Sequence, residues 1–430
     1  MSASDQTAIG GWRNALAGSQ MLFVAFGALV LMPLLTGMNP NVALFTAGVG
    51  TLLFQLTTTR QVPIFLASSF AFIAPITYSM QTWGLPATLG AIFCAGLTYM
   101  VLALVIRVRG PGIIHRLMPP VVTGPVIMII GLGLAPVAVN MAMGKTGDGA
   151  SQLFPYAEAV VVSMSALATT LLVATLARGI FRLVPVLAGV AVGYVMALFL
   201  GMVDFSTVRE APVVAMPDFV FPAFNLNAIL FMVPVAIAPA IEHVGDILAI
   251  SNVTGSDYIE KPGLHRTLLG DGIATSVASL FGGPPNTTYS EVTGAVMLTR
   301  AFNPVVMTWA AVFAIGLAFV SKLGAFLQTI PAPVMGGILI LLFGSIAAVG
   351  MNTMIKAKVD LSRQRNLVIV STTLVFGIGG MAIGGDHVNL QGVSLCGVAA
   401  ILLNLLLPRH RDPESDDLSE ERAVVDDMME

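Results

Sequence analysis

The sequence predicts an all-α polytopic membrane protein, and three observations carry that prediction. Hydrophobic residues make up 56% of the chain and charged residues only 10%, too few to cover a soluble fold of this size but suited to an exterior solvated by lipid. Apolar runs of about membrane-spanning length recur along all 430 positions. When those runs are threaded alternately across a bilayer, seventeen of the 20 Lys and Arg residues fall on one side.

In chain order the apolar segments lie near 18–36, 43–59, 63–77, 88–106, 118–139, 157–177 and 183–202. The second half supplies 227–250, 266–282, 287–299, 304–320, 327–349, 366–384 and 391–407, which makes fourteen. The opening stretch MSASDQTAIGGWRNALA lacks a basic region leading directly into an apolar core and cleavage site, so the first segment is expected to serve as the insertion signal. Segments 63–77 and 287–299 are short for a hydrocarbon core about 30 Å thick at 1.5 Å per helical residue, and they are expected to be broken elements.

The residues at those two places say how they break. VPIFLASSFAFIAPI is rich in small, β-branched and aromatic residues, while GGPPNTTYSEV interrupts the preceding helix with two Gly and two Pro. Both predict extended stretches leading into short helices. Irregular backbone is tolerated at membrane depth only where protein or a water-filled cavity satisfies its polar groups, so the two stretches are expected to meet inside the protein. After the last segment the tail PESDDLSEERAVVDDMME is acidic and is expected to be solvated and disordered.

Taking the N-terminus as cytoplasmic, only Lys145, Arg209 and Lys322 fall outside. An error of one in the segment count would scramble this asymmetry downstream, so the split supports an even number of spans and two cytoplasmic termini. Cys94 and Cys396 are the only cysteines, both within apolar runs, and are expected to be packing residues rather than a disulfide or a metal site.

The chain also repeats itself. Pro119-Pro-Val-Val-Thr-Gly124 resembles Pro331-Ala-Pro-Val-Met-Gly336, 212 residues further on, close to half the length. Seven spans per half is an odd number, so duplicated halves insert with opposite topology, an arrangement typical of secondary transporters that bind substrate near the midplane. Glu242, in PVAIAPAIEHVGDILAI, and Glu291, in GGPPNTTYSEVTGAVML, sit where a lipid-buried chain carries few acids. A carboxylate at the centre of a membrane helix costs about 3 kcal/mol, so such residues mark a substrate or ion pathway.

In SSFAF (68–72), EHVGD (242–246), KPGLHR (261–266), PNTTYSE (285–291) and PAPVMGG (331–337), the chain resembles the nucleobase/ascorbate transporter family, nucleobase:cation symporter-2, in particular its bacterial uracil permeases. The resemblance spans about Gln20 to Leu407. It implies two inverted repeats of seven segments, with segments 3 and 10 broken by short β-strands. It further implies a core domain from 18–108 and 227–320, and a gate domain from 118–202 and 327–407, flanked by a cytoplasmic segment 1–17 and the tail 408–430. Proton symport, a homodimer and a bacterial inner-membrane location are also implied, with substrate held between segments 3, 8 and 10.

Carried over by position, Glu242 matches the acid that hydrogen-bonds the edge of the base, and Glu291 its partner on segment 10. The backbone N–H groups of Phe70 and Ser290 match donors to a ring carbonyl, with Tyr289 in the same wall. Uracil is planar and neutral, with N–H donors and C=O acceptors around its rim, which carboxylates and backbone amides complement; charge-assisted bonds of this kind contribute about 1.5–3 kcal/mol each.

Asp246 stands where uracil permeases usually carry His and purine-type members usually carry Asp, and Met21 stands where the uracil pattern has His. Purine-type members tend to have Gln-Asn around Glu291, where this chain has Ser290-Glu291, so uracil is favoured and a xanthine or urate symporter is the alternative. Glu242 and Asp246, at i and i+4, share a helix face. Two carboxylates that close resist joint ionisation, which suits a coupled proton carrier, although Asp246 as an orienting partner of Glu242 is an equal reading.

His243 and Asp271 are expected to be structural: the first a hydrogen-bonding residue, the second a buried anchor. An enzyme is not expected, since the sequence around Asp246 and Asp271 does not support an intramembrane aspartyl protease. A channel would line a continuous pore with polar rings. No cofactor, metal or nucleic-acid partner is expected, because ligand spacing and a basic patch are both missing from the sequence.

Overall fold

The computed structural model describes residues 11–110, 112, 117–384 and 389–408, apart from the side chains of Ala28, Ile180, Leu183, Ser290, Glu291 and Asn389. The acidic tail beyond 408 therefore lies outside the described residues.

The first helices are α1 (Gly11–Thr36) and α2 (Pro40–Thr57). Asn39 starts α2 by accepting from the backbone N–H of Asn41 at 2.8 Å and of Val42 at 3.3 Å, with Pro40 in the first turn where its missing N–H costs nothing. Strand β1 (Leu66–Ser68) follows, then a 3-10 turn at Phe70–Phe72 and helix α3 (Ile73–Arg109). At 1.5 Å per residue α3 would be about 55 Å long, nearly twice the hydrocarbon thickness. It is not one rod, because Gly84 (φ 81, ψ 168) breaks it in a conformation that only glycine adopts without strain.

Next come α4 (Pro120–Ala142), α5 (Tyr156–Leu176), α6 (Pro185–Phe199) and the short α7 (Ser206–Glu210). Helix α8 (Leu226–Met232) continues through a 3-10 turn into α9 (Ile237–Thr254), which ends on left-handed Gly255. Helix α10 (Leu264–Leu280) leads to β2 (Asn286–Thr288), α11 (Ser290–Thr299), α12 (Val305–Ala318) and α13 (Ser321–Gln328). The chain then forms α14 (Ala332–Lys356), α15 (Gln364–Ile378), a β3–β4 pair (Ala382–Gly384 and Asn389–Gln391) and α16 (Gly392–Leu406).

The helices pack into two groups. In the first, α10 lies against α2 and α3, and α12 against α1 and α2; in the second, α4 lies against α14, α15 and α16, and α14 against α5. The repeated Pro motif caps the paired helices α4 and α14 in nearly the same way, Pro119 at φ −67, ψ 163 and Pro331 at φ −66, ψ 147. Those two helices run antiparallel, since Gly124 near the start of α4 faces Gly350 and Met354 near the end of α14, while Gly336 faces Met141 and Ala142.

Among the described residues six helices are long and apolar enough to cross a membrane, or seven if α12 and α13, bent by 81°, form one span. Many sides of these helices face outward with Leu, Val and Phe, as on α5, where Leu171, Leu172 and Leu176 are exposed. The protein is a multi-pass membrane protein. The count of continuous long helices is lower than the count of apolar segments because several segments are short or broken: α6, α15 and α16 have 15 residues each, and the two strand-bearing stretches are helical only in part.

Candidate functional site

The two interrupted stretches meet in the middle of the first helical group. β1 and β2 pair antiparallel, with Leu66 opposite Thr288, Ala67 opposite Thr287 and Ser68 opposite Asn286. All six residues are buried, so every backbone group there needs a partner within the protein.

Side chains from the neighbouring helices supply the partners that two short strands cannot give each other. Thr51 of α2 accepts from Leu66 N at 2.9 Å. Thr275 of α10 donates to Asn286 O at 2.8 Å, and Asn286 Nδ2 reaches Thr46 O at 2.9 Å. Ser69 N extends the ladder by donating to Pro285 O at 2.9 Å. Each strand is thus tied to a helix on its own side by one threonine, and the pair is fixed rather than merely enclosed.

Both strands lead straight into helical turns. Phe70 begins the 3-10 turn after β1, and Ser290 begins α11 after β2, so two sets of helix-start N–H groups, which have no intrahelical acceptor, open from the same strand pair. Tyr289, the residue before α11, is buried; its hydroxyl donates to Ser68 O at 3.3 Å, and its ring lies 6.3 Å from that of Phe70. Phe70 and Tyr289 therefore stand together as one aromatic wall across the pair.

Helix α9 brings the acids to this place, packing against both β2 and α11. Asp246 is buried and accepts a hydrogen bond from Thr288 Oγ1 at 2.8 Å. Glu242 lies half-buried one turn earlier on α9. The side chains of Ser290 and Glu291 are outside the described residues, so of the six residues singled out in the sequence four are placed as side chains: Phe70 and Tyr289 together, and Glu242 and Asp246 on the adjoining helix.

A second polar cluster backs the strand on its other side. His243 Nε2 is 3.0 Å from Thr267 Oγ1, and its Nδ1 lies 2.9 Å from Asp271 Oδ2, within ion-pair distance though not aligned as a hydrogen bond. Thr287 donates to the same Asp271 oxygen at 3.3 Å. Consecutive residues of a strand point to opposite faces, so Thr287 and Thr288 pin β2 to α10 and α9 in turn. The anchoring roles expected for His243 and Asp271 agree with these contacts. Thr275 and Thr51 lie in no motif, and although Thr287 and Thr288 belong to PNTTYSE, nothing in the sequence assigned those two hydroxyls a partner.

Buried paired strands, two helix starts that open from them and acids on a third helix thus place backbone N–H donors and carboxylate acceptors around one part of the fold. The family model Xan_ur_permease, described as Permease family, matches residues 13–385. The chain belongs to this permease family. As a permease it is a transporter and not an enzyme. Among its relatives, a probable uracil permease of Pasteurella multocida is 60% identical over 93% of this chain and 95% of its own length. The uracil permease of Bacillus caldolyticus is 45% identical over 97% and 96%, and that of Escherichia coli K12 is 36% identical over 90% and 89%. Solved structures share the fold at far lower identity. The transmembrane domain of the cyanobacterial bicarbonate transporter BicA superposes with a TM-score of 0.66 at 15% identity, covering 92% of this chain and 98% of that one. The murine Slc26a9 anion transporter in its inward-facing state gives 0.69 at 11%, covering 93% and 68%.

Proposed function

We propose that the protein imports uracil together with protons by alternating access, with the base held between the β1–β2 pair and α9. The observation that carries this reading is the junction of strands, where helix-start N–H groups open beside the Phe70–Tyr289 wall and α9, the helix that carries Glu242, packs against β2 and α11, in a chain 60% identical to a probable uracil permease over 93% of its length. Glu242 and Glu291 would accept from the ring N–H groups, while the backbone N–H groups of Phe70 and Ser290 donate to a ring carbonyl.

The architecture we infer has fourteen segments in two inverted repeats, with residues 18–108 and 227–320 as a core and 118–202 and 327–407 as a gate. The antiparallel, similarly capped α4 and α14 support the inversion, as does the pairing of β1 with β2 from corresponding places in each half. The charge asymmetry supports cytoplasmic termini in a bacterial inner membrane. We further propose a homodimer, on the family resemblance alone.

Asp246 bears on both the base and the proton. Its hydrogen bond to Thr288 commits one carboxylate oxygen to the strand, which favours an indirect part in base recognition and lets the uracil reading stand beside an Asp at this position. Protonation of the Glu242–Asp246 pair would favour the loaded state, and release toward the cytoplasm would complete import. One proton carried with a neutral base draws on about 2.3 kcal/mol per 100 mV.

Uptake of radiolabelled uracil into proteoliposomes tests the reading. An inside-alkaline gradient is expected to drive accumulation, and a protonophore to abolish it; equal uptake with and without the gradient would show that transport is not coupled to protons. Thr288→Val, which keeps the shape and removes the donor, is expected to lower uptake about tenfold or more, the loss of a hydrogen bond to a buried carboxylate being about 1.5–3 kcal/mol. Thr288→Ser is expected to restore most of it. Wild-type uptake by the Val variant would show that the strand does not depend on Asp246.

A further inference from the structure

A cavity of about 230 Å³ lies beside the strand pair, and no step above uses it. It begins at Ala71, next to Phe70, and at Ala74 and Pro75 in the first turn of α3. From there it extends between the two helical groups, past Gly133 of α4, to Gly380 beyond the end of α15 and Gln391 at the start of α16. In the topology proposed above that end faces outside, because it lies where segment 13 (366–384) is joined to segment 14 (391–407).

Four features distinguish this space from a packing fault. It is lined from both helical groups, so it belongs to the interface across which they would move. Glycines stand where side chains would close it: an added Cβ at Gly133 would find only Ile129 Cγ2, at 4.0 Å, and at Gly380 or Gly392 nothing within 4 Å. One wall is Phe231, whose ring is braced by Tyr78 at 5.0 Å and Trp83 at 5.9 Å, a fixed aromatic surface of the kind that planar rings pack on. At the far end Gln391 caps α16 by accepting from the backbone of Ser394; its amide NH₂ is then the donor it can offer, matched to a ring carbonyl.

We infer that this cavity is an outer station for the transported base, occupied before the base reaches the strand pair. The volume is below the roughly 300–1,000 Å³ of pockets for drug-sized ligands and suits one single-ring heterocycle. The chemistry is graded as a transfer route requires. Apolar and aromatic walls with a single amide bind a neutral base weakly, and the charge-assisted contacts are reserved for the central site. This inference rests on the proposed uracil transport.

Its test fills the cavity without touching the central site. Gly133→Leu is expected to slow uracil uptake about tenfold while leaving the equilibrium dissociation constant of the detergent-solubilised protein for uracil unchanged. Gly133→Cys provides the second measurement and does not depend on the larger side chain folding. In intact cells kept cold, a small membrane-impermeant methanethiosulfonate is expected to label the Gly133→Cys protein and not wild type, and saturating uracil to slow that labelling. Wild-type uptake by a folded Gly133→Leu protein, or labelling at a rate indifferent to uracil, would overturn the inference alone. Failure of wild type to take up uracil at all would overturn the proposed function and this inference with it.

Discussion

Glu242→Gln is expected to abolish accumulation of uracil and to weaken its binding by one to two orders of magnitude. Glutamine keeps the length and volume of the side chain, so the half-buried position on α9 is preserved and the change is chemical. The carboxylate offers acceptors only; the amide places a donor beside a ring N–H, where two hydrogens face each other. Losing a charge-assisted bond costs about 1.5–3 kcal/mol, and at 1.4 kcal/mol per tenfold this gives roughly 10- to 150-fold in affinity. Glu242→Asp, which keeps the charge and draws it back by one methylene, should retain part of the binding. Isothermal titration on purified protein, alongside uptake, separates loss of binding from loss of proton coupling. If Glu242→Gln bound uracil as wild type does, α9 would not form the edge of the site.

Gly96→Leu should prevent the protein from folding to its native state. Gly96 lies where α3 crosses α10, and a Cβ there would sit 2.7 Å from Gly272 O and 2.8 Å from Ser276 N, both backbone atoms that cannot turn aside. The crossing is fixed further by Ser276 Oγ, which donates to Phe93 O at 3.1 Å. In a bilayer such close approach of small residues, rather than exclusion of water, is what holds helices together. Overpacking typically costs about 1–3 kcal/mol where neighbours can shift, and more is expected where backbone blocks the way. Because α10 also carries Thr275 and Asp271, which hold β2, any relief at the crossing displaces the site. Size-exclusion profiles and thermal unfolding in detergent should show aggregation or a lowered Tm, and uptake should vanish. A monodisperse, fully active Gly96→Leu would mean that the two helices do not cross this closely.

The parts of this fold that sequence discloses are those where a residue type has one tolerable environment. Two Gly and two Pro before Asn286 cannot continue a helix, and a stretch that breaks at membrane depth has to find its partners inside, which is how β1 and β2 meet. Asp271 and His243, both in apolar sequence, had to be paired or bound to hydroxyls, and they are. The partners themselves were hidden. Threonine is at home on a lipid face, in a helix interior or at a strand, so nothing in Thr51, Thr275 or Thr288 alone says that each closes a hydrogen bond to the strand pair or to Asp246.

Helix continuity was equally hard to read. Gly84 looks like any other glycine in an apolar run until its backbone angles show the break. Conversely, 227–250 reads as one segment although a 3-10 turn at Val233–Ala236 interrupts it. Pairing acids with a helix face follows from i and i+4 spacing, whereas the direction in which that face looks depends on packing that only the folded chain sets.

A structure of the protein bound to uracil in a lipid nanodisc decides whether the strand junction holds the base. Uracil is predicted to lie where β1, β2 and α9 meet, its rim within hydrogen-bond distance of the Glu242 carboxylate and of the Phe70 and Ser290 backbone N–H groups. A base bound elsewhere, or a Glu242 side chain turned toward lipid while uracil is in place, would contradict the proposed site.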